Sequence, residues 1–177
     1  INSTRATYEI QYGTVERPTH KNTSWDKEKY EVCGHRFADL SEGNYGVTLL
    51  NDCKYGYDIH DGLMTLSLLR APTYPDPEAD RGEMTCTYSV TPHQGAMDAV
   101  KTYAMAYALN NPMTVLPATG ESDSIPAAFC TVESDAPNIL CEVVKAAEDG
   151  DGTVYRFFEC SNTATTATLR FGYPVKT

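Results

Sequence analysis

Period-two alternation of apolar and polar residues constrains this chain most. Over residues 83–90, Met84, Cys86, Tyr88 and Val90 alternate with Thr85, Thr87 and Ser89. A strand turns successive side chains to opposite faces, so this pattern predicts half-buried strands and an all-β fold. Further strands are predicted over 7–12, 30–33, 46–50, 63–69, 139–147, 153–159 and 166–171. Asp61-Gly62 and the run Glu148-Asp149-Gly150-Asp151-Gly152 supply turn chemistry between them. One segment departs from the pattern. Val100, Tyr103, Ala104, Tyr107 and Ala108 recur at helical spacing, which predicts one short helix over 96–109 that Asn110, Asn111 and Pro112 stop.

Two stretches read as connections. Residues 111–126 hold Pro112, Pro117, Pro126 and Gly120 and join two β-rich portions, 1–117 and 118–177. Residues 71–82 hold Pro72, Pro75 and Pro77 with three acidic side chains. Proline cannot donate to a sheet ladder, so this segment is predicted to project as a loop beyond a strand ending at Arg70. Loops of this length are often functional.

At 177 residues the chain is long enough to bury roughly 70% of its unfolded surface without covalent staples. A 41% apolar and 21% charged composition is that of a folded domain. The formal charge of −10 argues against nucleic-acid partners, which need a basic face, and against docking on anionic membranes. No apolar run approaches the roughly 20 residues of a membrane-spanning helix. Six cysteines lie at wide, irregular spacing without a Cys-x-x-Cys, so they are expected to be free thiols of a reducing compartment. The sequons Asn2-Ser3-Thr4 and Asn22-Thr23-Ser24 would matter only in a secretory protein.

Catalytic motifs are absent from the sequence: no Gly-x-Ser-x-Gly, no His-Glu-x-x-His, no phosphate loop and no Rossmann fingerprint. His20, His35, His60 and His93 are scattered, and Cys33 with His35 is only a pair, so no metal site is predicted. Asp76, Glu78 and Asp80 read as a solvated acidic loop. Asp58 and Asp61 beside His60 read as turn chemistry. Two places gather unusual chemistry. Asn51, Asp52, Lys54 and Tyr55 follow a strand and precede Gly56, which permits a sharp turn. Arg70 is the lone charge closing the apolar run 63–69. Each stands open between two readings: groups contacting a polar ligand, or a capped strand end with a buried ion pair.

Longer motifs carry a resemblance. They are Gln11-Tyr12-Gly13-Thr14-Val15-Glu16-Arg17-Pro18-Thr19-His20, Asn22-Thr23-Ser24-Trp25-Asp26, Ala38-Asp39-Leu40-Ser41-Glu42-Gly43 and Leu49-Leu50-Asn51-Asp52-Cys53-Lys54-Tyr55-Gly56. Leu66-Ser67-Leu68-Leu69-Arg70 and the run from Tyr74 to Glu83 follow, then Ala136-Pro137-Asn138 and the run from Lys145 to Gly152. Together they resemble the C-terminal β-domain of family 38 α-mannosidases, nearest to the cytosolic, vacuolar and bacterial branch. Met84, Cys86 and Thr91 depart from the family's usual residues. The resemblance implies an antiparallel sandwich within a larger, galactose-mutarotase-like super-sandwich, here as an internal piece of a longer polypeptide. It implies retaining hydrolysis of α-mannosides by an Asp nucleophile and a second carboxyl group, with a zinc ion held by two His and two Asp. The family places all of those in an N-terminal domain whose motifs do not occur here, so no catalytic residue and no cofactor are expected in this chain. Its expected partners are the catalytic and helical domains of the same polypeptide and a mannose-containing oligosaccharide. Asn51, Asp52, Lys54, Tyr55 and Arg70 become candidates for the rim of the site. A cytoplasmic location is expected, a vacuolar one being the alternative. The competing functions are an independent carbohydrate-binding module and a scaffold for homo-oligomer contacts.

Overall fold

The computed structural model describes residues 1–117, 120 and 128–175. The chain divides into two units, Ile1–Pro112 and Met113–Thr177. The first holds β1 (Arg5–Ile10), β2 (Gly13–Pro18), α1 (Ser24–Lys27), β3 (Val32–Cys33), β4 (Phe37–Glu42), β5 (Tyr45–Asn51), β6 (Gly56–His60), β7 (Leu63–Leu66), β8 (Tyr88–Gln94) and α2 (Ala99–Asn110). Its strands form a five-stranded sheet, β2-β1-β4-β5-β8, and a three-stranded sheet, β3-β6-β7. Every strand pairing in the unit is antiparallel.

Alternation decides how these sheets pack. Ala6 and Tyr8 of β1, Ala38 and Leu40 of β4 and Leu49 of β5 point to one face, where they meet Tyr57 and Ile59 of β6. Val32, Met64 and Leu66 close the edges of this core. The Tyr8 and Tyr57 rings meet edge to face at 6.0 Å, a favoured aromatic geometry. Each such large side chain contributes about 1.5–3 kcal/mol on burial. The opposite face of the larger sheet is covered as well. Phe37 meets Tyr103 of α2 edge to face at 5.1 Å, and the Tyr103 hydroxyl donates to the Gly13 carbonyl at 2.8 Å. Strand β4 is therefore buried from Phe37 through Leu40, on both faces.

That second face also buries charge. Asp39 accepts from Thr48 Oγ1 at 2.6 Å and from Ser41, and lies 2.7 Å from His93 Nε2. Gly46 makes room for this cluster: a Cβ there would lie 2.3 Å from His93 Cε1. Glu9 accepts from the Arg36 backbone N–H at 2.7 Å and from its Nε at 2.9 Å. The Arg36 guanidinium lies 4.3 Å from the centre of the Tyr107 ring, a cation–π contact.

The second unit has β9 (Val132–Ser134), β10 (Ile139–Ala146), β11 (Thr153–Glu159) and β12 (Leu169–Phe171), paired antiparallel as β10-β11 and β9-β12. A bulge interrupts β10 between Cys141 and Val143. Phe158, Cys160 and Val132 are buried, and Tyr155 joins Phe157, Phe171 and Tyr173 in one aromatic cluster. Glu159 is partly desolvated, which raises its carboxyl. The Thr163 N–H, the Asn138 amide and the Ser161 N–H outweigh that and hold it below the usual range.

The all-β sandwich expectation holds, with corrections of extent. A second helix, α1, joins the one expected; Thr23 caps it by accepting from the Asp26 N–H at 3.1 Å. The run 83–90 becomes a strand only from Tyr88 and then continues to Gln94. Its apolar side is not the buried one: Tyr88 and Val90 are 58% and 59% exposed. Pairing with β5 sets the register, and the half-buried His93 turns toward Asp39. Strand β7 ends at Leu66, so Ser67 to Arg70 run as irregular chain instead of completing a strand over 63–69. Strands β2, β4, β6 and β9 were not expected. The turn expectations hold, with Asp61 and Gly62 both at positive φ between β6 and β7. Residues 71–82 are an exposed loop, as expected. Of the connection expected over 111–126, residues 118, 119 and 121–126 lie outside the described residues.

Helix α2 runs three residues later at its start than the pattern over 96–109 suggests, because Asp98 caps it. Its carboxylate accepts from the Lys101 N–H at 3.1 Å, and that N–H, with the Lys101 ammonium, holds the carboxyl below the usual range. Asp98→Ala is expected to destabilise the unit by about 1 kcal/mol. A depressed folded pKa means the cap contributes fully above the unfolded carboxyl value of about 3.9 and is lost as pH falls through the lower folded one. Thermal unfolding should therefore separate variant from parent at neutral pH and bring them together in strong acid. A gap that persists in acid would assign the effect to helix propensity instead.

Candidate functional site

Asn51 ends β5 and is 1% exposed. Its Nδ2 donates to the His35 carbonyl at 3.0 Å and to the Tyr57 hydroxyl; its Oδ1 accepts from the N–H groups of Cys53 at 3.1 Å and Lys54 at 2.6 Å. Asn110 of α2 donates to its carbonyl at 3.0 Å. Asn51 thus uses both ends of its amide to fold the turn that follows. Burial pushes the Tyr57 phenol up, which keeps it a neutral donor to the His35 carbonyl at 2.9 Å.

That turn delivers Lys54 and Tyr55 to an open cleft. Its wall is the segment Ser67 to Arg70, and its floor includes Glu31, Cys33 and Gly56. Glu31 organises it. Its carboxylate accepts from Ser67 Oγ at 2.5 Å and lies 3.6 Å from the Arg70 guanidinium. Gly56 leaves the space that the Glu31 carboxylate occupies, since a Cβ there would displace it. The Ser67 N–H donates to the Gly56 carbonyl at 2.8 Å, which fixes the wall to the floor. The Arg70 side chain is 77% exposed, so most of its donors face solvent. Tyr55 is exposed, its ring edge to face with His35 at 6.0 Å.

Of the five residues singled out in sequence, Lys54, Tyr55 and Arg70 therefore come together. Asn51 and Asp52 lie outside the cleft lining. Asn51 shapes the turn from within. The Cys53 thiol and the Thr87 backbone beside it hold the Asp52 carboxyl below the usual range. Glu31 was missed. Its acid sits beside a two-residue strand, and only its meeting with Ser67 and Arg70, more than 30 residues away, marks it. Among the described residues no three His, Cys, Asp or Glu side chains converge as a metal site requires. No helix among them is long and apolar enough to cross a membrane.

Residues 1–78 match the glycosyl hydrolases family 38 C-terminal domain, and residues 138–177 match the family's C-terminal β-sandwich domain. The chain belongs to glycosyl hydrolase family 38. Its similarity to human "Alpha-mannosidase 2C1" is 41% identity over 99% of this chain and 17% of that protein. "Alpha-mannosidase G" of Dictyostelium discoideum is 43% identical over 94% of the chain and 15% of its own length. The "Alpha-mannosidase" of Saccharomyces cerevisiae is 54% identical over 57% of the chain and 10% of its own length. The chain thus spans about a sixth of the first two relatives, and it corresponds to the family's C-terminal portion rather than its catalytic one. An α-mannosidase structure from Enterococcus faecalis V583 superposes with a TM-score of 0.82 at 22% identity, over 97% of this chain and 20% of that one. That likeness supports the family 38 sandwich fold.

Proposed function

We propose that this chain is the non-catalytic C-terminal β portion of a retaining α-mannosidase acting on terminal α-mannosides of oligosaccharides. It backs the catalytic domain and presents the Lys54–Tyr55–Arg70 cleft at the rim of the site. The observation that carries the second half is the convergence of half-buried Lys54 with exposed Tyr55 and Arg70 on a cleft organised by Glu31. A guanidinium offers several donors in a fixed fork, suited to vicinal sugar hydroxyls or to a carboxylate. Tyr55 supplies an aromatic face beside it. Nucleophile, acid–base carboxyl and zinc belong, on this reading, to the rest of the polypeptide. The zinc would act there as a Lewis acid toward the reacting sugar. The free state of all six cysteines supports work in a reducing compartment, the cytoplasm in the first place and the vacuole as the alternative.

Arg70→Ala in the full polypeptide is expected to lower kcat/KM for an aryl α-mannoside about tenfold, or about 1.4 kcal/mol of transition-state stabilisation. Stability should hardly change, because the Arg70–Glu31 contact is a solvent-exposed one. Unchanged kinetics in a normally folded variant would remove the cleft from the rim.

A further inference from the structure

Cys53 and Cys86 are 33 positions apart, and no motif links them. The sheet does. Strands β5 and β8 pair in one register, from Tyr45 opposite Gln94 to Asn51 opposite Tyr88. The register continues past the last assigned pair, because the Asp52 N–H donates to the Thr87 carbonyl at 3.1 Å. One step further, the same register would set Cys53 opposite Cys86. The Asp52–Thr87 bond makes its own position a hydrogen-bonded one, so the next is non-hydrogen-bonded, where facing Cα atoms lie about 4.5 Å apart. A disulfide accepts Cα separations of about 4.4–6.8 Å. Two contacts agree. The Cys53 N–H is taken by Asn51 Oδ1, leaving nothing to donate across the ladder, and its sulfur lies 3.9 Å from the carbonyl oxygen of Thr85, the residue before Cys86. Cys53 is exposed and Cys86 half-buried, so a small reagent can reach the pair.

We propose that Cys53 and Cys86 form a modification site, a cross-strand dithiol that a low-molecular-weight disulfide such as oxidised glutathione converts into an intrachain bridge. One protein thiolate attacks a sulfur of the small disulfide and expels a first small thiol. The second protein thiolate then attacks the protein-bound sulfur and expels the other. The two protein S–H groups are oxidised to one S–S bond, and the small disulfide is reduced to two thiols, which carry away the two protons. The Asp52 carboxylate beside Cys53 raises that thiol above its ordinary range. The bridge closes a loop that contains β6, β7 and residues 71–82. It ties the turn bearing Lys54 and Tyr55 to the segment after that loop, across a groove lined by Leu68, Leu69 and Met84.

Trypsin separates the relevant cysteines: Cys33 falls on peptide 30–36, Cys53 on 37–54 and Cys86 on 82–101. The native full polypeptide is equilibrated in mixtures of reduced and oxidised glutathione, quenched by alkylation, digested and mapped by mass. The expected result is a linked species of 37–54 with 82–101 that grows as oxidised glutathione rises and disappears on reduction. In denaturant the same mixtures should lose that selectivity. Cys86→Ser should abolish the link and leave Cys53 alkylated or glutathionylated. Separate modification of Cys53 and Cys86 in the folded parent overturns the proposal. So does a link from Cys53 to Cys33, which lines the same cleft. The readout is peptide mass, so it stands whether or not the rim reading of Arg70 survives its own test.

Discussion

Replacing Glu9 by alanine is expected to lower the stability of the first unit by about 3–5 kcal/mol. Glu9 is 1% exposed, on the helix-facing side of β1, and its carboxylate takes the Arg36 backbone N–H and guanidinium together. Burial works against the Arg36 charge, and the Glu9 hydrogen bond and charge outweigh it, holding that pKa above its ordinary value. Without the carboxylate the guanidinium stays beside Tyr107, half-buried, and the Arg36 backbone N–H and Nε–H lose their acceptor. Denaturant unfolding followed by circular dichroism would measure the loss. The cost belongs to the buried donors that lose Glu9 rather than to the net worth of the pair, so Glu9→Leu combined with Arg36→Met should recover most of it. A single-variant loss under about 1 kcal/mol would mean that water reaches Arg36 and that this face is wetter than the packing implies.

Asn51→Ala should cost about 2–4 kcal/mol, since truncation removes all four hydrogen bonds of a buried amide. The Cys53 and Lys54 N–H groups lose their acceptor, and the His35 carbonyl and Tyr57 hydroxyl lose a donor. The effect should also be local. Lys54 and Tyr55 sit on the turn that the amide folds, so amide hydrogen exchange there should rise by more than the global loss accounts for. Uniform acceleration across the first unit would show that Asn51 stabilises the sheet and not the turn.

Local chemistry was readable in the sequence, and long-range chemistry was not. Asp61-Gly62 announces a turn because backbone at positive φ tolerates few residue types, and both residues adopt it. Helix α2 was visible in its alanines and its stop. The strand over 83–90 was misplaced because alternation names two faces without saying which one is buried. Pairing with β5 made that choice, sending His93 inward to Asp39 and leaving Tyr88 and Val90 out. Strand β4 escaped notice because burial on both faces erases alternation. At the cleft, the turn after β5 and the charge at Arg70 could be picked out singly. Their meeting through Glu31 could not, because it depends on β3 pairing with β6. The register that sets Cys53 against Cys86 was likewise invisible to any count of cysteine spacing.

Proline 92 has a consequence for what this sheet refuses to do. Strand β8 ends the five-stranded order, so among the described residues one side of its backbone has no strand beside it. Hydrogen bonds join Asp52 to Thr87 and Gly95 to Asn44, at the two ends of the β5–β8 ladder. Bonded positions alternate between them, which places Pro92, opposite Val47, at a position whose amide would point outward. The missing N–H therefore costs the ladder nothing and removes a donor from the free edge. With Tyr88 and Val90 exposed on the same strand, that edge would otherwise be an open template for another chain's strand. A proline at this register is a guard against edge-to-edge aggregation, set where the sheet can hold it without loss.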